Sequence, residues 1–131
     1  MVVVAGVHEY GVKIRVNDKM RSYLHYQGLH IKDSTEYIEI PERSFIRSTF
    51  DESNDRILEQ TERAICQVLD GKMSVDDMLN LFGQQFTTAI KKTMRDLDSP
   101  ANHPYTKEQK GSSNPLIDTG GLIESITWEV E

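Results

Sequence analysis

"IPERSFIRSTFDE", residues 40–52, is where an alternating segment has to end and the first long helix has to begin. Pro41 has no N–H to donate to a ladder, so it closes "TEYIEI" (35–40) and suits a strand-to-helix corner. From about Ser44 to Leu69, apolar residues recur at helical spacing. Ile57, Leu58, Ala64 and Leu69 fall on one face, with Gly71 as the stop. Ser74, with Asp77 three residues on, makes a capping box with Asp in place of Glu. It opens a second apolar stripe through Val75, Met78, Leu79, Phe82, Phe86, Ala89, Ile90 and Leu97. Two amphipathic helices joined by so short a loop make an antiparallel pair, with Ile65 and Phe86 expected on the facing stripes.

Before this pair, "VVVAGVHEYG" (2–11) begins with β-branched residues and then alternates, which predicts a strand closing at Gly11. "VKIRV" (12–16) alternates apolar and basic residues and reads as a strand with one face in solvent. Asn17 or Asp18 can cap a short helix, "KMRSYLHYQ", ended by Gly28. After the pair, "DSPANHPYTKEQKGSSNP" (98–115) carries three of the four prolines and reads as an exposed loop. Thr119 can cap a single turn, "GLIESI", leading into a terminal strand, "TWEVE". The expected fold is α+β: one domain over 1–131, a small mixed or antiparallel sheet packed on a pair of antiparallel helices, and a β-rich, hairpin-like insertion over 12–37.

Composition narrows the function classes. A chain of 131 residues supports one core, and a charged fraction of 27 % describes a soluble globular protein. No window is apolar enough for a membrane span, and "MVVVAGV" lacks the basic leader and length of a signal peptide. The formal charge of -6 argues against non-specific nucleic-acid binding. The bases gather only slightly, as Lys13, Arg15, Lys19 and Arg21 and as Lys91, Lys92 and Arg95. The second group, in "KKTMR", suits a solvated helix face near a C-terminus. Cys66 is the only cysteine, which excludes an internal disulfide and a cysteine zinc site, and in "RAICQVL" it reads as a small buried hydrophobe.

The motifs give little catalytic chemistry. His8, His25, His30 and His103 lie in different elements, and no pair has the i, i+4 spacing of a helical metal site. No nucleophile elbow is present for a Ser–His–Asp arrangement. "DTGG" contains the signature of aspartic proteases, whose single copies must pair to supply two carboxylates. In a helix-rich chain the plainer reading makes Asp118 and Thr119 caps of the last turn, with Gly120 giving backbone freedom. No cofactor and no catalytic residue is expected.

Arg43 and Arg47 fit less easily. Both cations sit at or near the positive end of a helix, where a basic residue is unfavourable by a few tenths of a kcal/mol. One reading leaves them on a solvated face. The other pairs them with acids of a neighbouring subunit, beside Phe45 as an apolar anchor.

"GVHEYG" (6–11), "IPERSFIRSTFDE" (40–52), the two helices and "KGSSNPLIDTGGLIESI" (110–126) together resemble the small neck and tail-completion proteins of tailed bacteriophages. Members of that family are described as minor tail component, head–tail joining or virion morphogenesis proteins. The order is theirs: an "HEFG"-like turn, "IP-x-R-x-F-x-R", two helices and a late "PLIDTG-x-L-x-x-S-I". On that resemblance Glu9, Tyr10 and Gly11 match the first motif, and Pro41, Arg43, Phe45 and Arg47 the second. Leu116, Asp118, Thr119, Gly120 and Leu122 match the third. The resemblance implies no catalysis. It implies a ring, commonly hexameric, that joins connector or adaptor to tail tube, assembled in the host cytoplasm and resident in the virion neck or tail. Glu9, Tyr10, Pro41, Arg43, Phe45 and Arg47 are then the expected subunit interface, with Gly11, Asp118, Thr119 and Gly120 as structural turns. The chain departs from the family order in its 12–37 stretch and in lacking a helical segment before "VVVAGVHEYG". A DNA-packaging accessory protein using the two basic groups, and a dimeric aspartic protease built on Asp118, are the alternatives.

Overall fold

The computed structural model describes residues 1–131 as α1 (Val2–Tyr10), β1 (Val12–Arg15), α2 (Asp18–Tyr26), β2 (Tyr37–Ile40), α3 (Ile46–Leu69), α4 (Val75–Asp96), α5 (Pro104–Lys110) and α6 (Gly121–Glu124). The protein is therefore mostly helical, with one two-stranded antiparallel sheet, and is α+β in that loose sense.

The long helices follow their local signals. Ser74 accepts the Asp77 amide at 3.0 Å and donates its hydroxyl to the Asp77 carboxylate at 2.7 Å, so the capping box opens α4. Gly71, at φ 69°, turns the chain out of α3. The turn at 70–74 sends α4 back along α3: the Thr49 hydroxyl, which donates to the Phe45 carbonyl, accepts from the Thr93 hydroxyl at 2.6 Å, and Phe50 meets Phe86 edge to face.

β1 and β2 pair with Val12 opposite Ile40 and Arg15 opposite Tyr37. Their connection is not a simple hairpin, because it holds α2, capped by Asn17 on the Met20 amide at 2.8 Å. The Arg21 guanidinium then stitches the return by donating to the Lys32 and Thr35 carbonyls at 2.8 and 3.0 Å.

Four expectations are corrected. Residues 2–10 form a helix, not a strand. Helical spacing sets Ala5 and Glu9 one turn apart on one face, Ala5 against the core and Glu9 under α3, and this outweighs the β preference of the exposed Val2, Val3 and Val4. The 98–115 segment is not just an exposed loop. It contains α5, Pro115 is buried, and Asn114 donates to the Met94 and Arg95 carbonyls at the end of α4 at 3.0 and 2.9 Å. "TWEVE" pairs with no strand: Trp128 covers Gly83 of α4 so closely that a Cβ there would strike the indole, whose Nε1–H donates to Asn80. Finally, Ile65 is 43 % exposed and Leu58, Leu69 and Cys66 are exposed too, because the inward face of α3 at that level is Ile57 and Ala64, about 100° away per residue.

The buried core is small and lies at one end of the helix pair. Phe45, Ile90, Met94, Leu116 and Leu122 form it, with Ala5, Phe86, Leu97, Ile123 and Ile126 packed around them. No strand residue belongs to it, so α1, α6 and the chain after α5 cover the helices there, where the sequence had suggested the sheet. Phe45 and Met94 have no exposed surface. Phe45→Ala and Met94→Ala should each lower stability by roughly 2–5 kcal/mol, and Ile65→Ala by under about 1 kcal/mol, in urea denaturation. Equal losses at all three positions would contradict this core.

Candidate functional site

The residues at 41–47 and those at 8–11 meet in space. Strand β2 ends at Ile40, and the chain runs past the C-terminal end of α1, where the Arg43 amide donates to the His8 carbonyl at 2.7 Å. Only glycine fits at position 11: its φ is 68°, and a Cβ would lie 2.8 Å from the Glu42 amide nitrogen and 2.9 Å from the Ile40 carbonyl oxygen. That close crossing delivers Glu9, one residue before the tyrosine that ends α1, to the start of α3.

α3 has no cap of its own. The residue at its N-cap position is Phe45, and its first turn has no acidic side chain. Glu9 supplies both functions from 36 residues upstream. One carboxylate oxygen accepts the Phe45 and Ile46 amides at 2.8 and 3.0 Å. The other accepts the Arg47 amide and Nε–H, each at 3.0 Å, and the Ser44 hydroxyl at 2.8 Å. The Arg47 guanidinium also donates to the Glu9 carbonyl and to the Glu42 carboxylate, at 2.8 and 2.7 Å, and lies over the Tyr10 ring. The unfavourable placement of Arg47 noted in the sequence is thereby reversed: the helix end it approaches carries a buried anion.

Glu9 is only 3 % exposed. Burial pushes its carboxyl up, but the amides of Ile46 and Arg47 and the side chains of Ser44 and Arg47 outweigh burial and hold it at about 2. The hydrogen bond to Glu9 is the main reason that the Arg47 guanidinium binds its proton more tightly than usual.

Arg43 points the other way. It is 4 % exposed and donates through Nε to the Pro100 carbonyl at 2.7 Å. Its Nη2 donates to the Ala101 carbonyl at 3.3 Å and to Asn102 Oδ1 at 3.1 Å. Beside it opens a cleft of about 720 Å³ between β2, residues 29–31 and the start of α5. A smaller one of about 320 Å³ lies towards α6, and His8 and Asn102 line both.

The expected interface residues thus gather at one junction, with Glu9, Arg43 and Phe45 buried in it and Tyr10 and half of Arg47 left in solvent. Phe45 sits in the core, Arg43 holds the 100–102 segment, Arg47 pairs with Glu9 and Glu42, Tyr10 is exposed beneath Arg47, and Pro41 lines the large cleft. The third motif contributes Leu116 and Leu122 to the core around Phe45. Asp118, expected to cap, does not: Gly120, at φ 89°, is the N-cap of α6, so the exposed Asp118 lies two residues outside it and makes no hydrogen bond. Thr119 approaches the Gly121 amide at a long 3.5 Å. The signal for Glu9 was in the sequence, as a 24-residue helix without an acidic first turn. His25 and His30, which share no helical register, also meet, with Nδ1 atoms 2.7 Å apart. No three His, Cys, Asp or Glu side chains are placed to hold a metal ion.

Comparison with known proteins gives no match to a family model, a curated protein or a solved structure.

Because the Glu9 carboxyl lies below its ordinary 4.5, at about 2, its stabilising effect is complete above pH 4.5 and disappears as the pH falls through 2. That effect amounts to about 3 kcal/mol. Glu9→Gln should lower stability at pH 7 by about that amount and flatten the acid limb between these pH values, as read by urea denaturation across the range. A variant with the wild-type acid limb would mean that another carboxylate governs it. Gly11→Ala should cost about 2 kcal/mol or more in the same assay, since it meets both an unfavourable φ and a backbone clash.

Proposed function

We propose that the protein is a structural component of virion assembly, acting at the head–tail joint or tail terminus of a tailed phage or prophage as an oligomeric ring. The resemblance of its ordered motifs supplies the class, and one structural observation supports self-association. Beyond the core, α3 and α4 run on, and they leave Leu58, Ile65 and Leu69 on one face of α3 and Val75, Leu79 and Phe82 on one face of α4 substantially exposed. A helix of 24 residues is roughly 36 Å long, and a core at one end leaves much of that length without a cover. Apolar stripes of this kind mark association surfaces. Another copy of the same chain would bury them in a ring.

In this reading the motif residues act behind the interface. Glu9, Arg43, Phe45 and Arg47 fix how the helix pair leaves the body of the protein, and the pair meets the neighbouring subunit. Nucleic-acid binding is the less favoured reading, since Arg21 is engaged with backbone carbonyls and Lys92 with Asp96. A protease reading rests on one exposed Asp118 beside a four-residue helix.

Wild-type protein should sediment as an oligomer at micromolar concentration. Leu58→Glu combined with Leu79→Glu should sediment as a 15.0 kDa monomer with its helical circular dichroism retained. Lysates of a host complemented with that variant should show heads and tails that fail to join by electron microscopy. A wild-type monomer at about 100 µM, together with normal virions from the variant, would overturn the ring.

A further inference from the structure

We infer that the seam between the two clefts, formed by His8, Arg43, Asn102 and Lys110, is a binding site for an oxyanion, a carboxylate or phosphate group. The inference is independent of ring assembly, since every residue it uses belongs to one subunit.

It begins with an unbalanced charge. Arg43 is buried, yet no carboxylate lies within ion-pair distance of it; its three hydrogen bonds go to two backbone carbonyls and the Asn102 amide oxygen. Its Nη1 makes no hydrogen bond, and the side chain lines the larger cleft. A buried guanidinium without a counter-charge is costly. Arg47, four residues on, has two carboxylates.

Lys110 repeats the pattern on the other side of the seam. Its ammonium donates only to the Asn114 and Pro115 carbonyls, at 3.2 and 3.4 Å, and it forms no ion pair. Burial lowers its proton affinity, the Asp118 charge raises it and the Arg43 charge lowers it. Two cations therefore repel each other across a partly desolvated gap.

Between them stand two polar atoms without partners. His8 Nδ1 and Asn102 Nδ2 are both buried and make no hydrogen bond. Both residues line both clefts, so these atoms are placed where the cavities meet. The His8 ring is held neutral by burial and by the charges of Arg43 and Lys110, so one nitrogen carries a proton and can donate it. The Asn102 Nδ2 group can only donate. With His8 in its Nδ1–H tautomer and Asn102 Oδ1 already taken by Arg43, two cations and two free donors match the acceptor oxygens of an oxyanion. Glu39 lines the outer wall of the larger cleft and Asp118 the smaller one, so the fit is for a single anionic group seated at the seam, not for a polyanion spread along either cleft.

The test is an NMR titration of the folded protein with sodium phosphate and, separately, sodium acetate, against sodium chloride at equal ionic strength. Saturable shifts of the Arg43 Nε–H and the His8 ring signals are expected. A stronger response to phosphate identifies a phosphate-type ligand, and a stronger response to acetate a carboxylate; either supports the site. Two variants keep it falsifiable. Lys110→Gln should weaken the response at least tenfold. Asn102→Asp supplies the missing counter-charge, so it should abolish the response and raise the melting temperature by about 3 °C or more. Shifts no larger than those in chloride, a response unchanged in both variants, or a lower melting temperature for Asn102→Asp would overturn the proposal.

Discussion

A carboxylate almost without water closes the open end of a long helix in this protein, and most other features depend on it. The first turn of α3 presents amides that need acceptors, and Glu9 takes three of them together with the Arg47 side chain. Burying an anion is unfavourable by itself. Here it is offset because every lone-pair direction finds a donor and a cation stands alongside. Once Glu9 is seated, α1 cannot move independently of α3. Phe45, whose amide Glu9 holds, is then aimed at Met94, Ile90 and the Leu116–Leu122 segment.

Within the chain, Glu9, Arg43 and Phe45 pin the interior, while Arg47 and Tyr10 reach its surface. "R-x-F-x-R" places two arginines four residues apart in different chemistry: Arg47 ends beside carboxylates, Arg43 beside carbonyls and an amide whose nitrogen has no partner. Strict demands on residue type at Gly11, Arg43, Phe45 and Arg47 follow from geometry within one chain.

What could be read from the sequence was set by distance along the chain. The capping of α4 by Ser74 and Asp77, the stop at Pro41 and the exits at Gly28 and Gly71 are local, each decided within a few residues, and they appear as expected. Residues 2–10 misled because a β-branched run carries the preference of an isolated peptide, whereas the helix is selected by what Ala5 and Glu9 reach. The partners of Arg43 lie 57 to 59 residues downstream, beyond any pattern in its own neighbourhood. Ile65 and Cys66 were misplaced by a smaller error. Rotation by one position on a helix with a narrow buried stripe carries a side chain from the interior into water.

The off-centre core has a kinetic meaning. Amide exchange in a helix pair is slowest where opening must expose packed apolar surface, and fastest where little surface is at stake. Near Thr49 and Thr93 the helices are locked by the core and by a direct hydroxyl–hydroxyl hydrogen bond. Towards Gly71 the buried apolar residues of α3 thin out to Ile57 and Ala64. The expected pattern is therefore graded: slow exchange at the core end, set by global unfolding, and faster local opening towards Gly71.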